Sequence, residues 1–390
     1  MEKESFVTPN SLYHGITKNA SSPYVMQGKA CDKTLDIYHL ILAPTYACNL
    51  WCKHCYLPDH NNLLLPKEIA LRLTDEWNEM VMDERGQYKG IFHIKGGEPF
   101  VVPYLWDVID RLCAKKTLRL MLTTNGTFVE NGHFKRLQNC KNELSGHLVV
   151  IVSLDGATEE THAILRGKGQ FGSTLKFLDG LRKYGITFYL NCVLHKGNIH
   201  EISEYIDMAK KYGATQINFI SLVPKGRGSS FCRFQIPHLE VYRHLENIYQ
   251  NADRDTQDLL AGSLPHIKFQ EFSGQCLTSK ECVAAYRGLF YITPDGNVYA
   301  CPNMIFPEFS VGNVFEQSLR ELSKNLNIIY QKLKNYSEPY TCSGEKILYE
   351  KNDDIENLFS LKSVQESFTN IQKNESGSDI LMSYCYSRNF

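Results

Sequence analysis

The stretch Cys48-Asn-Leu-Trp-Cys52-Lys-His-Cys55 places three cysteines within eight residues, directly after an apolar run at 38–43. Three thiolates on one short loop can hold three corners of a cubane iron–sulfur cluster, which normally takes four cysteines. No fourth cysteine lies nearby in the sequence, so this loop would leave one iron open to another ligand. A zinc site that adds His54 to the three cysteines is the alternative, although structural zinc usually takes its ligands as two separated pairs.

The spacing Cys-x3-Cys-x2-Cys resembles the signature of the radical S-adenosylmethionine (radical SAM) enzymes. In that family the cysteines bind a [4Fe–4S] cluster, and the amino and carboxylate groups of SAM chelate the open iron. One electron then enters the sulfonium, and SAM breaks into methionine and a 5′-deoxyadenosyl radical. The resemblance implies that Cys48, Cys52 and Cys55 are the cluster ligands. It also implies that Tyr56, an aromatic residue beside the third cysteine, lies near the adenine.

The composition of the 390-residue chain is that of a globular protein with one large domain and a smaller one. A formal net charge of −1 favours neither nucleic acid nor an anionic membrane as a partner. The first thirty residues contain no apolar signal segment, and no stretch reaches about 18 consecutive apolar residues. The 13 cysteines, an odd number, therefore predict a cytosolic protein with metal or redox chemistry instead of a disulfide framework.

Short apolar runs alternate with longer segments of helical periodicity between residues 37 and 225. The runs predict strands at 38–44, 90–94, 118–123, 148–154, 187–194 and 216–222, and the longer segments predict helices at 67–82, 102–115, 174–184 and 199–212. Such alternation indicates βαβ units and a parallel sheet. We expect an α/β fold, a partial (β/α)6 TIM-like barrel with a small C-terminal α+β cluster-binding extension. Active sites of such sheets lie at the carboxyl ends of the strands.

Glycine-rich or polar turns follow the second and third predicted strands. The turn Gly96-Gly97-Glu98-Pro99 can bring backbone close to a ligand, and Glu98 offers a negative charge to an ammonium group. It resembles the family's GGEP element, whose glycine backbone receives the SAM amino group. The turn Thr123-Thr124-Asn125-Gly126 is similar to the family's TNG element, and the resemblance places Asn125 in the SAM pocket.

The later strands and the segments after them carry four further candidates for the SAM pocket. The fourth strand ends in Ser153-Leu154-Asp155-Gly156, and Arg166 follows. A serine hydroxyl and a guanidinium suit a carboxylate, and in relatives with this pattern they hold the SAM carboxylate. By resemblance, Asn191 would bond the ribose hydroxyls and Leu222 would pack on the adenine. Without the resemblance, Arg166 would be interpreted as a cation on the surface of a helix. Asn191 would be a strand amide whose hydrogen bonds are made within the protein, and Leu222 would be a core residue.

A loop of glycine and basic residues follows the sixth predicted strand at 224–230. Its Lys225 and Arg227 could meet an anionic group of a substrate. A solvated loop is the simpler interpretation.

A second group of cysteines follows a helical connector. Cys276 and Cys282 precede a hairpin turn of sequence Pro-Asp-Gly-Asn, and Cys301 follows it. The spacing Cys282-x13-Gly296-x4-Cys301 resembles the start of the SPASM/Twitch extension, a module that binds auxiliary iron–sulfur clusters. The dense cysteine run that supplies a second auxiliary cluster in a full SPASM module is missing.

The resemblance implies one auxiliary [4Fe–4S] cluster held by Cys276, Cys282, Cys301 and Cys342, a four-thiolate set suited to a cubane. Cys385 is the alternative fourth ligand, and buried thiols without metal are the alternative to the whole set. We therefore expect four regions: a lead-in at 1–36, the radical SAM core at 37–230, a connector with the cluster domain at 231–345, and a polar tail of unknown role at 346–390.

The expected activity is reductive cleavage of SAM followed by hydrogen abstraction from a substrate, with a flavodoxin or ferredoxin as external one-electron donor. Relatives with this extension often form thioether or carbon–carbon crosslinks or oxidise side chains, which favours maturation of a peptide or protein. Radical modification of a small molecule or cofactor precursor, such as a tetrapyrrole, is the alternative. No leader-binding domain is visible at the N-terminus, which favours that alternative or a separate leader-recognition protein.

A non-catalytic metal-binding module is a third hypothesis. Such a module would not need the predicted SAM pocket. No catalytic acid or base is assigned.

Overall fold

The computed structural model describes most of the predicted core and part of the extension. The described residues are 39–57, 61–81, 90–114, 119–145, 147–223, 225–236, 238–260, 263 and 289–334. The predicted lead-in at 1–36 and the polar tail at 346–390 lie outside them. So do four cysteines of the second group: Cys276, Cys282, Cys342 and Cys385.

All six predicted strands are present within one or two residues of their expected bounds. They are β1 (His39–Leu42), β2 (Ile91–Ile94), β3 (Arg119–Thr124), β4 (Leu148–Ser153), β5 (Phe188–Leu194) and β6 (Gln216–Ser221). Each pairs in parallel with its sequence neighbour from β1 to β6. The predicted open parallel barrel is therefore confirmed.

The described part of the extension adds three strands to the same sheet. These are β7 (Leu289–Ile292), β8 (Asn297–Tyr299) and β9 (Ser310–Asn313), and the strand order is β6-β5-β4-β3-β2-β1-β7-β8-β9. Strand β7 pairs in parallel with β1, so β1 is flanked on both sides. Strands β8 and β9 continue antiparallel through the predicted hairpin turn, where Gly296 has φ +80°. The sequence did not predict that the extension would continue the barrel sheet.

The helices cover the outer face of the sheet. They are α1 (Lys67–Val81), α2 (Leu105–Ala114), α3 (Asn131–Glu143), α4 (Glu159–Arg166), α5 (Phe171–Lys183), α6 (Ile202–Tyr212), α7 (His238–Asn251), α8 (Arg254–Leu260) and α9 (Leu319–Lys334). Helices α3 and α4 were not predicted. In α3 only Phe134, Leu137 and Cys140 are buried, which is a narrow apolar stripe in a polar sequence. Helix α4 is short, and the side chain of Thr158 caps its N-terminus.

The strands are apolar on both faces because the sheet separates two apolar layers. In β1, Leu40 and Leu42 belong to the large core that the sheet shares with the helices, whereas Ile41 belongs to a separate cluster with Tyr291 and Tyr299. A third cluster, on the same inner side, joins β3, β4 and β5. The inner side of the sheet thus carries apolar clusters together with buried polar side chains within the strands, such as His93 of β2.

The extension is also fastened to the outer helical layer. Arg72 of α1 donates a hydrogen bond to the carbonyl oxygen of Val314, and the Leu319 N–H donates to Glu76 Oε2 at 2.7 Å. Barrel and extension therefore meet at both the β1–β7 pair and helix α1. In the described parts of the chain, no helix has the length and apolar character that a bilayer span requires.

Two glycines of α5 provide a test of the packing between the sheet-covering helices. A Cβ atom on Gly180 would lie 2.2 Å from Cζ of the buried Phe134 ring, whereas a Cβ on Gly172 would meet nothing within 4 Å. We expect Gly180→Ala to lower the thermal unfolding midpoint, because overpacking costs about 1–3 kcal/mol and exceeds the helix-propensity gain of about 1 kcal/mol. The matched variant Gly172→Ala should be neutral or slightly stabilising. Thermal unfolding followed by circular dichroism measures both midpoints. Equal midpoints for the two variants would contradict this packing.

Candidate active site at the carboxyl ends of the strands

The cysteine loop, residues 48–55, lies at the carboxyl end of β1 and is held by segments that follow other strands. The Lys53 N–H donates to the Leu165 carbonyl at 2.7 Å. Arg227, in the 3-10 helix Gly226–Phe234 after β6, donates from its backbone N–H to the Cys55 carbonyl at 2.9 Å and from Nε to the Cys52 carbonyl at 3.0 Å. The loop has no regular secondary structure of its own. Its position therefore depends on these contacts.

The three cysteines of the loop are sheltered from solvent. Cys52 is buried, and Cys48 and Cys55 are half-buried. Burial raises the pKa of all three thiols, that of Cys48 to about 11, and the charges of Cys52 and Cys55 contribute to the shift at Cys48. The thiols are therefore close enough to influence each other, and binding to iron would release their protons. This donor set fits three ligands of one cluster.

The zinc alternative is not supported by the position of His54. Its Nε2 lies 3.5 Å from Asp155 Oδ2, so the imidazole faces a carboxylate. Among the residues that the structure describes, no group of three or more His, Cys, Asp or Glu side chains is arranged around a single metal ion. A zinc ion needs ligands that converge on one point, whereas the cysteines of a cubane surround a larger group.

The two glycines after β2 make room for the segment that leads into the cysteine loop. A Cβ on Gly97 would lie 2.0 Å from the Ala47 carbonyl oxygen, and a Cβ on Gly96, whose φ is +145°, would lie 2.5 Å from the Thr45 oxygen. The Gly97 N–H donates to the Thr45 carbonyl at 2.9 Å. Glycine is required here by the close approach of the protein's own backbone. Contact of these glycines with the SAM amino group stays a prediction.

Glu98 links the turns after β2 and β3. Its carboxylate is fully buried and accepts hydrogen bonds from Phe100 N at 3.1 Å, Thr124 Oγ1 at 2.8 Å and Asn125 N at 2.8 Å. Burial raises the pKa of Glu98 to about 7, although these hydrogen bonds act in the opposite direction. Both carboxylate oxygens are thus used within the chain, and a role of Glu98 toward an ammonium group stays a prediction.

Asn125 contacts the cysteine loop from the end of β3. Its Nδ2 donates to Asn49 Oδ1 at 2.8 Å and lies 3.9 Å from Cys48 Sγ. Asn49 in turn donates to Thr127 Oγ1 at 2.8 Å. Asn49 was not predicted as a site residue. The signal that could have identified Asn49 is its position as a polar side chain inside the three-cysteine loop, opposite the Asn-Gly turn.

Asp155 is the important site residue that sequence reasoning did not assign. It is fully buried, accepts from Arg166 Nε at 2.5 Å through Oδ2 and from the Val193 N–H at 2.8 Å through Oδ1. Burial by itself would raise the pKa of Asp155, but Arg166 and then His54 outweigh it and hold the pKa at about 2. A buried acid directly after a strand, in the motif 153–156, was the signal for this role.

Arg166 is therefore not a surface cation. Its side chain is largely buried, its Nη1 lies 3.8 Å from Cys52 Sγ, and its pKa is raised because the negative charges of Asp155 and Cys52 outweigh burial. The guanidinium is thus fixed in the charged form beside the cysteine loop. A guanidinium suits a carboxylate, and binding of the SAM carboxylate by Arg166 stays a prediction.

The other predicted pocket residues lie at the end of β4, in the middle of β5 and directly after β6. Ser153 of β4 and Asn191 of β5 are register partners. Asn191 Oδ1 accepts from Asn218 Nδ2 at 2.8 Å, and Asn218 Oδ1 accepts from Gln216 Nε2 at 2.6 Å. This row of amides includes two residues that were not predicted. Leu222 is buried directly after β6. The contacts of Ser153, Asn191 and Leu222 with SAM stay predictions.

Tyr56 joins the cysteine loop to the extension. Its hydroxyl lies 2.9 Å from the hydroxyl of Tyr291 on β7, and its ring packs against the inner cluster of Ile41 and Tyr299. In the structure Tyr56 thus has a role at the barrel–extension junction, and its contact with the adenine stays a prediction. Cys301, two residues after the end of β8, is buried and its Sγ accepts the Asn303 N–H at 3.4 Å.

Comparison with known families identifies two domains in the chain. The profile of the radical SAM superfamily matches residues 42–209. The chain belongs to the radical SAM superfamily. The profile of SPASM, an iron–sulfur cluster-binding domain, matches residues 282–344. A radical SAM domain implies a [4Fe–4S] cluster and SAM, and a SPASM domain implies auxiliary iron–sulfur clusters. The division of the chain at 36, 230 and 345 stays a prediction.

Relatives of this radical SAM protein include enzymes with different substrates. The mycofactocin maturase MftC of Mycolicibacterium smegmatis is 30% identical over 69% of this chain and 65% of its own length. An AdoMet-dependent heme synthase of Methanosarcina barkeri is 28% identical over 75% of this chain and 84% of its own length. AlbA of Bacillus subtilis, a subtilosin biosynthesis protein, is 26% identical over 79% of this chain and 62% of its own length. The present chain thus covers a little under two thirds of the lengths of the two maturation proteins, MftC and AlbA.

Solved structures share the fold of this radical SAM protein. The enzyme anSMEcpe with bound AdoMet superposes with a TM-score of 0.60 at 16% identity, covering 90% of this chain and 100% of that chain. SuiB of Streptococcus suis, bound to its precursor peptide SuiA, gives 0.56 at 15% identity, covering 82% of this chain and 75% of that chain. At such identities the likeness shows the fold alone, and it agrees with the predicted partial TIM-like barrel.

The Asp155–Arg166 pair gives a direct test of the site's construction. We expect Asp155→Asn to destabilise the protein by about 3–5 kcal/mol, because a buried guanidinium would lose its carboxylate. The control is Asp110→Asn, which removes the partner of Arg136 at 2.6 Å in an exposed ion pair and should change stability little. Thermal unfolding of the two variants measures the difference. A similar, small effect of both substitutions would show that the buried pair is not needed.

Proposed function

We propose that this protein is a radical SAM maturase that modifies side chains of a peptide or protein by a crosslink, a thioether bond or an oxidation. The observation that supports the proposal most strongly is the three-cysteine loop at the carboxyl end of a parallel barrel, with the buried Arg166 beside Cys52. The SPASM match and the maturases among the relatives support the choice of a peptide substrate.

The chain's own residues have distinct tasks in this proposal. Cys48, Cys52 and Cys55 would hold the cluster, which when bound supplies the electron that cleaves SAM into methionine and a 5′-deoxyadenosyl radical. Asp155 orients the Arg166 guanidinium, which would bind the SAM carboxylate together with Ser153. The row of amides at Asn191 offers donors and acceptors that suit ribose hydroxyls, with its geometry fixed by Asn218.

Modification of a tetrapyrrole or another cofactor precursor is the second candidate function. The specific observation in its favour is the heme synthase of Methanosarcina barkeri, because this chain covers 84% of that relative's length. The corresponding coverage of MftC is 65% and that of AlbA is 62%. The relatives named for maturation or biosynthesis, the mycofactocin maturase MftC and the bacteriocin biosynthesis protein AlbA, are of two different kinds. This favours a peptide substrate over a cofactor precursor.

We also propose an external one-electron donor, a flavodoxin or ferredoxin, and a separate leader-recognition protein. Support for the donor comes from the outer side of the cysteine loop, where Trp51 is 60% exposed and the Arg227 guanidinium lies 4.1 Å from its ring centroid. The exposed Lys53 on the same loop adds positive charge, which suits an acidic redox protein. A cytosolic location stays a prediction.

The experiment that tests the substrate class is anaerobic coexpression with each short peptide encoded beside the gene. We expect one peptide to lose hydrogen, seen by mass spectrometry, because crosslinking and oxidation both remove it. The change should vanish in Cys52→Ala and fall strongly in Arg166→Met, and it should persist in the surface control Arg136→Met. Unchanged peptides, together with a mass change in an added tetrapyrrole that requires Cys52, would contradict peptide maturation and support the second candidate.

A further inference from the structure

Lys95 lies at the carboxyl ends of the strands, on the inner side of the sheet. It directly follows β2. His93, two residues earlier, is the register partner of Ile41, which belongs to the inner cluster. Because alternate residues of a strand face the same side, the Lys95 side chain also points inward. Its Nζ lies 5.6 Å from the ring centroid of Tyr291 and 5.9 Å from that of Tyr56.

No acidic side chain of the described residues neutralises Lys95. Its ammonium group makes no ion pair and no hydrogen bond within the part of the chain that the structure describes. Strands β1 to β7 contain neither Asp nor Glu. The buried carboxylates of Glu98 and Asp155 accept from other donors. Lys225, by contrast, donates to the Pro302 carbonyl at 2.7 Å, so it is not part of a solvated loop.

The ammonium group of Lys95 is charged and can be reached by a ligand. Burial lowers the pKa of Lys95 to about 8, so the side chain is still mainly a cation at neutral pH. Nζ has no partner within the described chain, yet the side chain is only half-buried and Nζ is not sealed off. A sheltered cation without a partner gains most from a negative group that brings a charge-assisted hydrogen bond.

The two tyrosines beside Lys95 offer a second donor. The hydroxyls of Tyr56 and Tyr291 lie 2.9 Å apart, and the hydrogen bond between them uses one of their two protons. Burial raises the pKa of both phenols, so both protons are retained at neutral pH. The second proton has no acceptor among the described residues. An ammonium group and a hydroxyl proton next to the same two rings suit one carboxylate.

We propose that Lys95, together with the second hydroxyl proton of the Tyr56–Tyr291 pair, binds a carboxylate of the substrate and so selects acidic substrates. The inference rests on the proposed function, because it names the group by which the modified peptide is recognised. That group is an Asp or Glu side chain, or a terminal carboxylate, close to the modified residue. A cofactor precursor with acidic side chains presents the same chemistry, and the experiment below separates the two sources.

This carboxylate is not the carboxylate of SAM. The residues proposed for the SAM carboxylate, Ser153 and Arg166, belong to β4 and to helix α4 after it. The Lys95 site is built from the segments after β2 and β1 and from β7, which are neighbours on the other side of β3 in the sheet. Two carboxylates can therefore be held at separate places at the same end of the barrel.

Binding of a small carboxylate tests the inference without turnover. The probe is N-acetyl-Gly-Glu-Gly-amide, and its neutral Gln analogue is the comparison, each measured by saturation-transfer NMR on the reconstituted protein with SAM. We expect the Glu probe to bind about tenfold to a hundredfold more tightly than the Gln probe, because it makes a charge-assisted hydrogen bond. Lys95→Met should abolish this preference and Lys95→Arg should keep it. Lys135→Met, which removes an exposed cation on α3, should leave it unchanged.

Three results of the binding measurement would overturn the inference. The first is a wild-type protein that shows no preference for the Glu probe. The second is a preference that persists in Lys95→Met. The third is a preference lost in both Lys95→Met and Lys95→Arg, which would show that Lys95 has a merely structural role.

Kinetics with the substrate found by coexpression then identify the source of the carboxylate. In a peptide substrate, each Asp, Glu and terminal carboxylate is converted singly to its amide. We expect one conversion to raise KM with little change in kcat in the wild type, and to have little further effect in Lys95→Met. Equal losses in wild type and Lys95→Met would overturn the inference and leave peptide maturation intact. The same pattern with a tetrapyrrole and its methyl esters would support carboxylate recognition while refuting peptide maturation.

Discussion

Two buried carboxylates, Glu98 and Asp155, fix the strand ends around the cysteine loop, and they do so under opposite electrostatic conditions. Glu98 accepts hydrogen bonds from neutral donors, and burial outweighs these bonds and the charge of Arg166 and raises the pKa of Glu98 to about 7. Asp155 meets Arg166 and His54, and these partners outweigh burial and lower its pKa to about 2. Glu98 thereby positions the turn of Asn125 at the loop, and Asp155 positions a permanent cation beside Cys52. The loop itself contributes few hydrogen bonds and takes its shape from these neighbours.

The central position of β1 explains how the extension becomes part of the site. Because β7 pairs with β1 on the side opposite β2, the first strand of the extension enters the sheet directly beside the strand that carries the cysteine loop. Tyr56 and Tyr291 then connect the loop to the extension through their hydroxyl groups. Lys95, directly after β2, lies with its Nζ 5.9 Å from the ring centroid of Tyr56 and 5.6 Å from that of Tyr291. The end of β2 therefore also reaches the junction between the cysteine loop and the extension.

The sequence predicted the six barrel strands because buried parallel strands form uninterrupted apolar runs with clear boundaries. It also located the cysteine loop and the turns after β2, β3 and β4, since each has a distinctive local motif. The pairing of β7 with β1 could not be predicted, because two four-residue strands far apart in the chain carry no pairing signal. The burial of Asp155, Lys95 and Lys225 was missed for a similar reason. Charged residues at strand ends look solvated until tertiary contacts are known. Cys276, Cys282 and Cys342 stay predictions because they lie outside the described residues.

The most direct test of the account is the release of 5′-deoxyadenosine from SAM by anaerobically reconstituted protein with a low-potential reductant. We expect steady release by the wild-type protein and by Gly172→Ala, and none by Cys52→Ser, because removal of one thiolate disrupts the cluster beside Arg166. Release should persist without any peptide, since cleavage of SAM precedes attack on the substrate. A wild-type protein with a full complement of iron that releases no deoxyadenosine would contradict the central claim. Equal release by wild type and Cys52→Ser would contradict it as well.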